Sequence, residues 1–257
     1  MGVNMLLISS YNLTYNNEKG LKNTAQVKFV TLDDFSLIES FIDKEINDIV
    51  NGEHFSDDIV TTKLEIKNLM NDKNTNQKHG LVAEFFTHFV LRDMGFEQES
   101  IFSNLEESSM KKGFDGVYSV RNSIWIAESK SGYTDGIRHR NKINEAFGDL
   151  KDKLEGRSSN NPFRNAAFHM IAARKEPKKE LLDSIIELST NYRLGKHQSL
   201  DEFNVIPVST LFIKHWQTEE DIMVDVAELI DEMKYKEIII ICVDNQIYDN
   251  FLSYIGV

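Results

Sequence analysis

Gly113-Phe114-Asp115-Gly116-Val117-Tyr118-Ser119-Val120-Arg121-Asn122-Ser123-Ile124-Trp125-Ile126-Ala127-Glu128-Ser129-Lys130 is the stretch that decides how this chain folds. Two β-rich runs, 113–120 and 123–130, flank the dipeptide Arg121-Asn122, which is the pattern of a hairpin. A two-residue loop pairs Val120 with Ser123 and Tyr118 with Trp125, and sets Asp115 directly opposite Glu128. Strand alternation places Asp115, Val117 and Ser119 on one face with Ile124, Ile126, Glu128 and Lys130. Opposed Cα atoms lie roughly 4.5–5.5 Å apart, so the two carboxylates can share one ligand. Two like charges opposite one another destabilise a hairpin unless a cation neutralises them. A divalent ion does so, and Lys130 adds positive charge on the same face. A one-residue slip of register puts the carboxylates on opposite faces. Without a ligand, the same residues read as a surface salt-bridge cluster.

Working outward, strands are expected at Val3–Ile8 and Gln26–Thr31, and Asp33 or Asp34 caps a helix running to about Val50. A second helix falls within 57–72. A third, from about Asn76 to Met94, is the most apolar and is closed by Gly95. Beyond the hairpin, a helix over 138–155 is closed by Gly156, and 164–174 fits either a helix or a buried strand. A helix from about Lys178 to Tyr192 follows. Val205–Ile213 and Glu237–Val243 read as buried strands with a helix at about 218–233 between them. This order predicts a mixed α/β fold. There is no internal repeat and no Ser/Gly-rich linker, which predicts a single domain over 1–257 with its core at about 76–175.

The chain has 257 residues, 41% of them hydrophobic, and 29 basic against 41 acidic side chains give a net charge of −12. That balance excludes a histone-like or polybasic membrane-binding protein. The charge is polarised: residues 138–179 carry 11 basic against 5 acidic side chains, whereas residues 180–257 carry 5 against 15 and residues 1–110 carry 9 against 18. An anionic ligand is therefore expected near 111–179, and the acidic ends are expected to restrain the free protein or to meet a basic partner. The longest apolar run, Ile238 to Val243, is far short of a bilayer span, and no signal peptide is evident. A cytoplasmic protein that neither spans nor binds a membrane is the expectation. The single Cys242 excludes an internal disulfide and a Cys-rich zinc site. No G-x-S-x-G elbow and no G-x-x-x-x-G-K-[ST] phosphate loop are present, so a serine hydrolase and an NTP-driven motor are both excluded.

The constellation Gly113-Phe114-Asp115-Gly116 with Ile126-Ala127-Glu128-Ser129-Lys130 resembles the PD-(D/E)xK nuclease superfamily, with Phe114 standing where that family carries proline. The resemblance implies a restriction-endonuclease-like core, a mixed central sheet flanked by helices. It also implies a metal-dependent phosphodiesterase site with Asp115, Glu128 and Lys130 as catalytic residues. Asp115, Glu128, the Ser129 backbone carbonyl and a helix glutamate, matched by Glu84, would bind Mg²⁺ or Mn²⁺. Glu84 otherwise reads as a solvated stripe-edge residue paired with His88. Lys111, Lys112, Arg138, Arg140 and Lys142, with His139 among them, are candidate phosphate contacts that position a strand without reading it. His169 and Trp125 read as core.

Over most of its length the chain also resembles the small nuclease subunits of Hachiman anti-phage defence systems, the HamA family. This implies a DNA-cleaving effector held in check by a partner helicase of superfamily 2 type (HamB-like). A non-catalytic interaction subunit and a stand-alone restriction-type or toxin nuclease are the alternatives.

Overall fold

Arg121 and Asn122 both adopt positive φ, 47° and 65°. These are the values of the two-residue turn whose twist matches that of its flanking strands. In the computed structural model, which describes residue 6 and residues 8–16, 22–103, 113–213 and 217–257, the turn sets the predicted register. Val120 pairs with Ser123, Tyr118 with Trp125 and Gly116 with Ala127.

The chain runs β1 (Ile8–Asn16), β2 (Lys22–Leu32), α1 (Glu39–Asn51), α2 (Ile59–Asn71), α3 (Thr75–Asp93), β3 (Glu97–Gln98), β4 (Gly116–Val120) and β5 (Ser123–Gly132). It continues through α4 (His139–Leu154), α5 (Pro162–Ala173), α6 (Lys179–Arg193), β6 (Asn204–Leu211), α7 (Glu219–Glu232), β7 (Glu237–Asn245) and α8 (Tyr248–Ile255). The seven strands form one sheet in the order β1-β2-β7-β6-β5-β4-β3. The four central strands, β2, β7, β6 and β5, are parallel, and β1, β4 and β3 add antiparallel edges.

Period-two alternation sends the two sets of strand side chains into separate cores. Tyr118, Trp125, Ala127, Ile206, Val208, Ile239 and Ile241 pack with α1, α2, α3 and α8. Val117, Ile126, Val205, Ile238 and Ile240 pack with α4 to α7. Helices cover both faces, which is why β6 is buried along its whole length and β7 nearly so. The sequence supplies the helix starts. Asn74 caps α3 and Thr218 caps α7, each reciprocated by the side chain three residues on. Gly95 closes α3 at a φ of 86°. The predicted mixed α/β architecture is the one observed.

Four elements differ from the reading of the sequence, one of them α8 (Tyr248–Ile255), which lies beyond the last expected strand. Most of the strand expected at Val3–Ile8 lies outside the described residues, and the observed strand runs from Ile8 to Asn16. It is an edge strand with mostly exposed side chains, so pairing with β2 rather than its own propensity holds it. The ambiguous stretch 164–174 is helical. Asn161 caps it and Pro162 occupies its first position, where a missing N–H costs nothing. The two-residue β3 was not anticipated. It is anchored where Arg174 and Lys178 reach the buried Glu99 and its neighbour Glu97.

Gly116, next to Asp115, is required by close approach. A β-carbon there would overlap the ring of Tyr118, which is fully buried and hydrogen-bonded to His88 Nδ1 at 2.7 Å. Gly116→Ala is expected to lower stability by about 1–3 kcal/mol, the range for overpacking a filled core. Urea unfolding followed by circular dichroism measures it.

Candidate active site

β4 begins at Gly116 while β5 runs on to Gly132, so beyond Ala127 the edge of β5 has no β4 partner. Asp115 fills the first step of that gap: its Oδ2 accepts a hydrogen bond from the Ser129 N–H at 2.8 Å. The N–H and C=O of one strand residue point to the same edge, so the Ser129 carbonyl leaves the strand on the Asp115 side. A cleft of about 510 Å³ opens there, between the N-terminal half of α3 and the start of α4. Its walls include Glu84, Asp115, Ser129, Lys130 and Lys142. It lies beyond the carboxyl end of β5, the usual position for ligands in open α/β sheets.

Glu84 comes from α3, half-buried, one turn before Thr87, whose hydroxyl donates to Ala83 O and lies 3.2 Å from Ser129 Oγ. Glu84 and Asp115 act on the same neighbour. Burial first, then these two carboxylates, push the Tyr118 hydroxyl well above the usual tyrosine range. His88 Nδ1 is hydrogen-bonded to the Tyr118 hydroxyl at 2.7 Å.

Glu128 faces the other way, toward α4, as alternation predicts. It is 2% exposed. Its two oxygens are held by Lys130 at 3.1 Å and by Lys153 of α4. Burial, with the charge of Asp115 adding to it, outweighs both ammonium groups and raises the Glu128 carboxyl to about 7. Burial opposes the charge on Lys130, but Glu128, Asp115 and Asp149 together raise its pKa. Asp115, Glu128 and Lys130 are thus brought together, joined by Asp149 and Lys153. Neither of these two stands out in the local sequence pattern of the hairpin. Their signal was a charged i,i+4 pair bordering the apolar stripe of Ile143, Ala146, Phe147 and Leu150 on α4.

The candidate phosphate contacts divide. Lys142 lines the cleft and pairs with Glu145 at 2.7 Å. Arg138 pairs with Asp225 of α7 at 2.7 Å, and Arg140 with Glu228. Lys111 and Lys112 lie outside the described residues. His139 corrects its expectation as a phosphate contact. It is 1% exposed, and its ring nitrogens lie 2.8 Å from Ser209 Oγ and 3.2 Å from Asp244 Oδ1. Beginning α4 turns it inward onto the ends of β6 and β7. Ser209 is fully buried, so this trio presents no nucleophile. His169 and Trp125 are core, as read.

Among the described residues, no three or more His, Cys, Asp or Glu side chains are gathered into a metal cage. The donors nearest the open edge of β5 are hard oxygens, the carboxylates of Glu84 and Asp115 and a strand-edge carbonyl, while a third carboxylate of the cleft wall, Glu145, is paired with Lys142. That set suits Mg²⁺, which takes one or two carboxylates and keeps several waters. Among the described residues, no helix is long and apolar enough to cross a membrane.

A mixed sheet between helical layers, with an Asp/Glu-x-Lys hairpin beside a cleft, defines a restriction-endonuclease-like α/β protein. The sequence taken as a whole narrows this: the HamA family model matches residues 7–254, and the chain belongs to the HamA family, a Hachiman-associated group. A comparison with curated proteins returns no match.

The raised Glu128 carboxyl has a consequence for stability. Its folded pKa lies above the unfolded value, so the folded state holds a proton that the unfolded state releases between pH 4.5 and about 7. Stability from this group is therefore lost as pH rises through that window. Glu128→Gln lacks the titration. In metal-free buffer, the melting temperature of the variant minus that of the wild type is expected to increase from about pH 5 to about pH 8. A difference that is flat or shrinks contradicts the burial-dominated carboxyl.

Proposed function

We propose that this chain is a metal-dependent DNA endonuclease, the effector of an anti-phage defence system, hydrolysing phosphodiester bonds under the control of a partner helicase. The observation that carries the reading is the convergence of Asp115, Ser129 and Lys130 on one cleft, with Glu128 held directly behind them. Family membership supports the defence context.

Asp115, Glu84 and the Ser129 carbonyl, with Glu128 once it is released from Lys153, would hold Mg²⁺ or Mn²⁺. A bound ion of this kind lowers the pKa of a water and offsets charge building on a phosphate. Lys130 is kept protonated by the carboxylates around it and directs its ammonium group toward developing negative charge. Asp149 orients that ammonium group from α4. Lys142, at the cleft wall, supplies a phosphate contact that carries no sequence information. Arg138 and Arg140 can reach a phosphate only by exchanging it for the α7 carboxylates that now hold them.

The purified chain, alone and with its partner helicase, is tested for plasmid degradation with Mg²⁺. Glu128→Ala and Lys130→Ala are each expected to lose activity by about a hundredfold or more, the scale for removing an electrostatic stabiliser. Chelation should abolish cleavage by the wild type. Equal cleavage by all three proteins contradicts the assignment. Cleavage that survives chelation contradicts the metal requirement.

A further inference from the structure

The cleft has a second end that the phosphate chemistry does not use. Past Lys130, β5 ends at Gly132, and Tyr133 forms part of the cleft wall. One face of its ring lies on His79, with centroids 4.3 Å apart and planes 14° from parallel. His79 lies in turn on Tyr248, at 4.1 Å and 2°. Phe212 packs edge-on against both inner rings, His79 Nδ1 is 2.9 Å from Thr75 O, and the Tyr133 hydroxyl donates to Asn76 Oδ1. The result is a column of three parallel rings, braced from the side and tied down at its rim. His79 is 8% exposed, whereas Tyr133 is 38% exposed. Since His79 covers one face of Tyr133, its exposure belongs to the opposite face and the ring edge.

A rigid aromatic face at the end of a stack is what a nucleobase caps, because every base has a π-face and the platform loses little entropy on binding. Tyr133 lies three residues beyond Lys130, about 10 Å along an extended chain, which is the scale of a nucleotide or two. The cleft volume of about 510 Å³ is within the range of small-molecule sites. A base inside a duplex has both faces covered by its neighbours and cannot cap the column. An unpaired base can.

We propose that Tyr133 is a stacking platform for an unpaired nucleobase, so that the cleft admits single-stranded DNA with a base on Tyr133 and the adjacent phosphate toward Asp115 and Lys130. The phosphate end rests on the nuclease reading above. The base end stands on the ring column alone.

The test is binding without catalysis. Fluorescence anisotropy in chelator measures the full chain against a short fluorescein-labelled single strand and against the same sequence as a duplex. Tyr133→Phe keeps the ring, Tyr133→Ala removes it, and Tyr133→Leu keeps an apolar cover on His79 without a π-face; thermal melting confirms that each variant is folded. The wild type is expected to prefer the single strand. Tyr133→Ala and Tyr133→Leu should weaken that binding by about tenfold or more, while Tyr133→Phe stays within about twofold. A folded Ala or Leu variant that binds like the wild type overturns the proposal. So does equal or tighter binding of the duplex, or no binding of the single strand. Tyr133-dependent binding without Mg²⁺-dependent cleavage would leave the platform standing and remove the nuclease. Normal cleavage with Tyr133-independent binding would do the reverse.

Discussion

A two-residue turn at Arg121-Asn122 governs where Asp115, Glu128, Ser129 and Lys130 go. Both residues accept positive φ, a cost that neither a glycine nor a longer loop relieves here, and in return the pairing of β4 with β5 admits a single register. Glu128 and Lys130 then face α4, and Ser129 faces α3. Because β4 stops at Gly116, Asp115 hangs at the open edge between the two helical layers and takes the Ser129 N–H that a longer strand would have taken. Shift the hairpin by one residue, and Glu128 would enter the phenylalanine-rich core of α3 while Trp125 met the lysines.

That geometry sets a chemical tension. Asp115, just before β4, and Glu128 of β5 are like charges, and Glu128 is almost completely buried. Lys130 and Lys153 offset part of the cost, yet the Glu128 carboxyl remains raised. Removing one partner of a buried charge cluster is costlier than the cluster itself. Helix α4, which carries both Asp149 and Lys153, is therefore bound to the site by charge as well as by its apolar stripe. The cleft stays in register with the helix behind it.

The hairpin, its register and the helix bearing Glu84 were legible in the sequence because each is a local pattern: a two-residue loop, alternation, and an apolar run closed by glycine. Lys153 and Asp149 were not, because what matters about them is which strand their helix packs on, and that is set by tertiary contact. The aromatic column was hidden for the same reason, since Thr75–Asp93, Tyr133 and Tyr248 come from three separate regions. His139 misled by its neighbours. Between two arginines it looks solvent-facing, but at the first turn of α4 the helix rotates it inward while Arg138 and Arg140 stay out. The basic middle segment misled in part as well. Arg138 and Arg140 meet carboxylates of α7, and Arg174 meets Glu53, Glu97 and Glu99, so carboxylates of the two acidic ends hold three arginines of the middle.

The sheet order has a further bearing on how the chain is made. β2 lies beside β7, with Ala25 paired to Ile238 and Leu32 to Asn245, so two neighbours in space are separated by about two hundred residues of synthesis. The β1–β2 hairpin emerges early and waits with one edge uncovered until β7 leaves the ribosome. Such long-range parallel pairing is slow and exposes strand edges in the meantime. The polar character of β1, exposed at Ser9, Ser10, Asn12 and Thr14, then has a physical use. It keeps the waiting hairpin in water rather than in another chain's sheet.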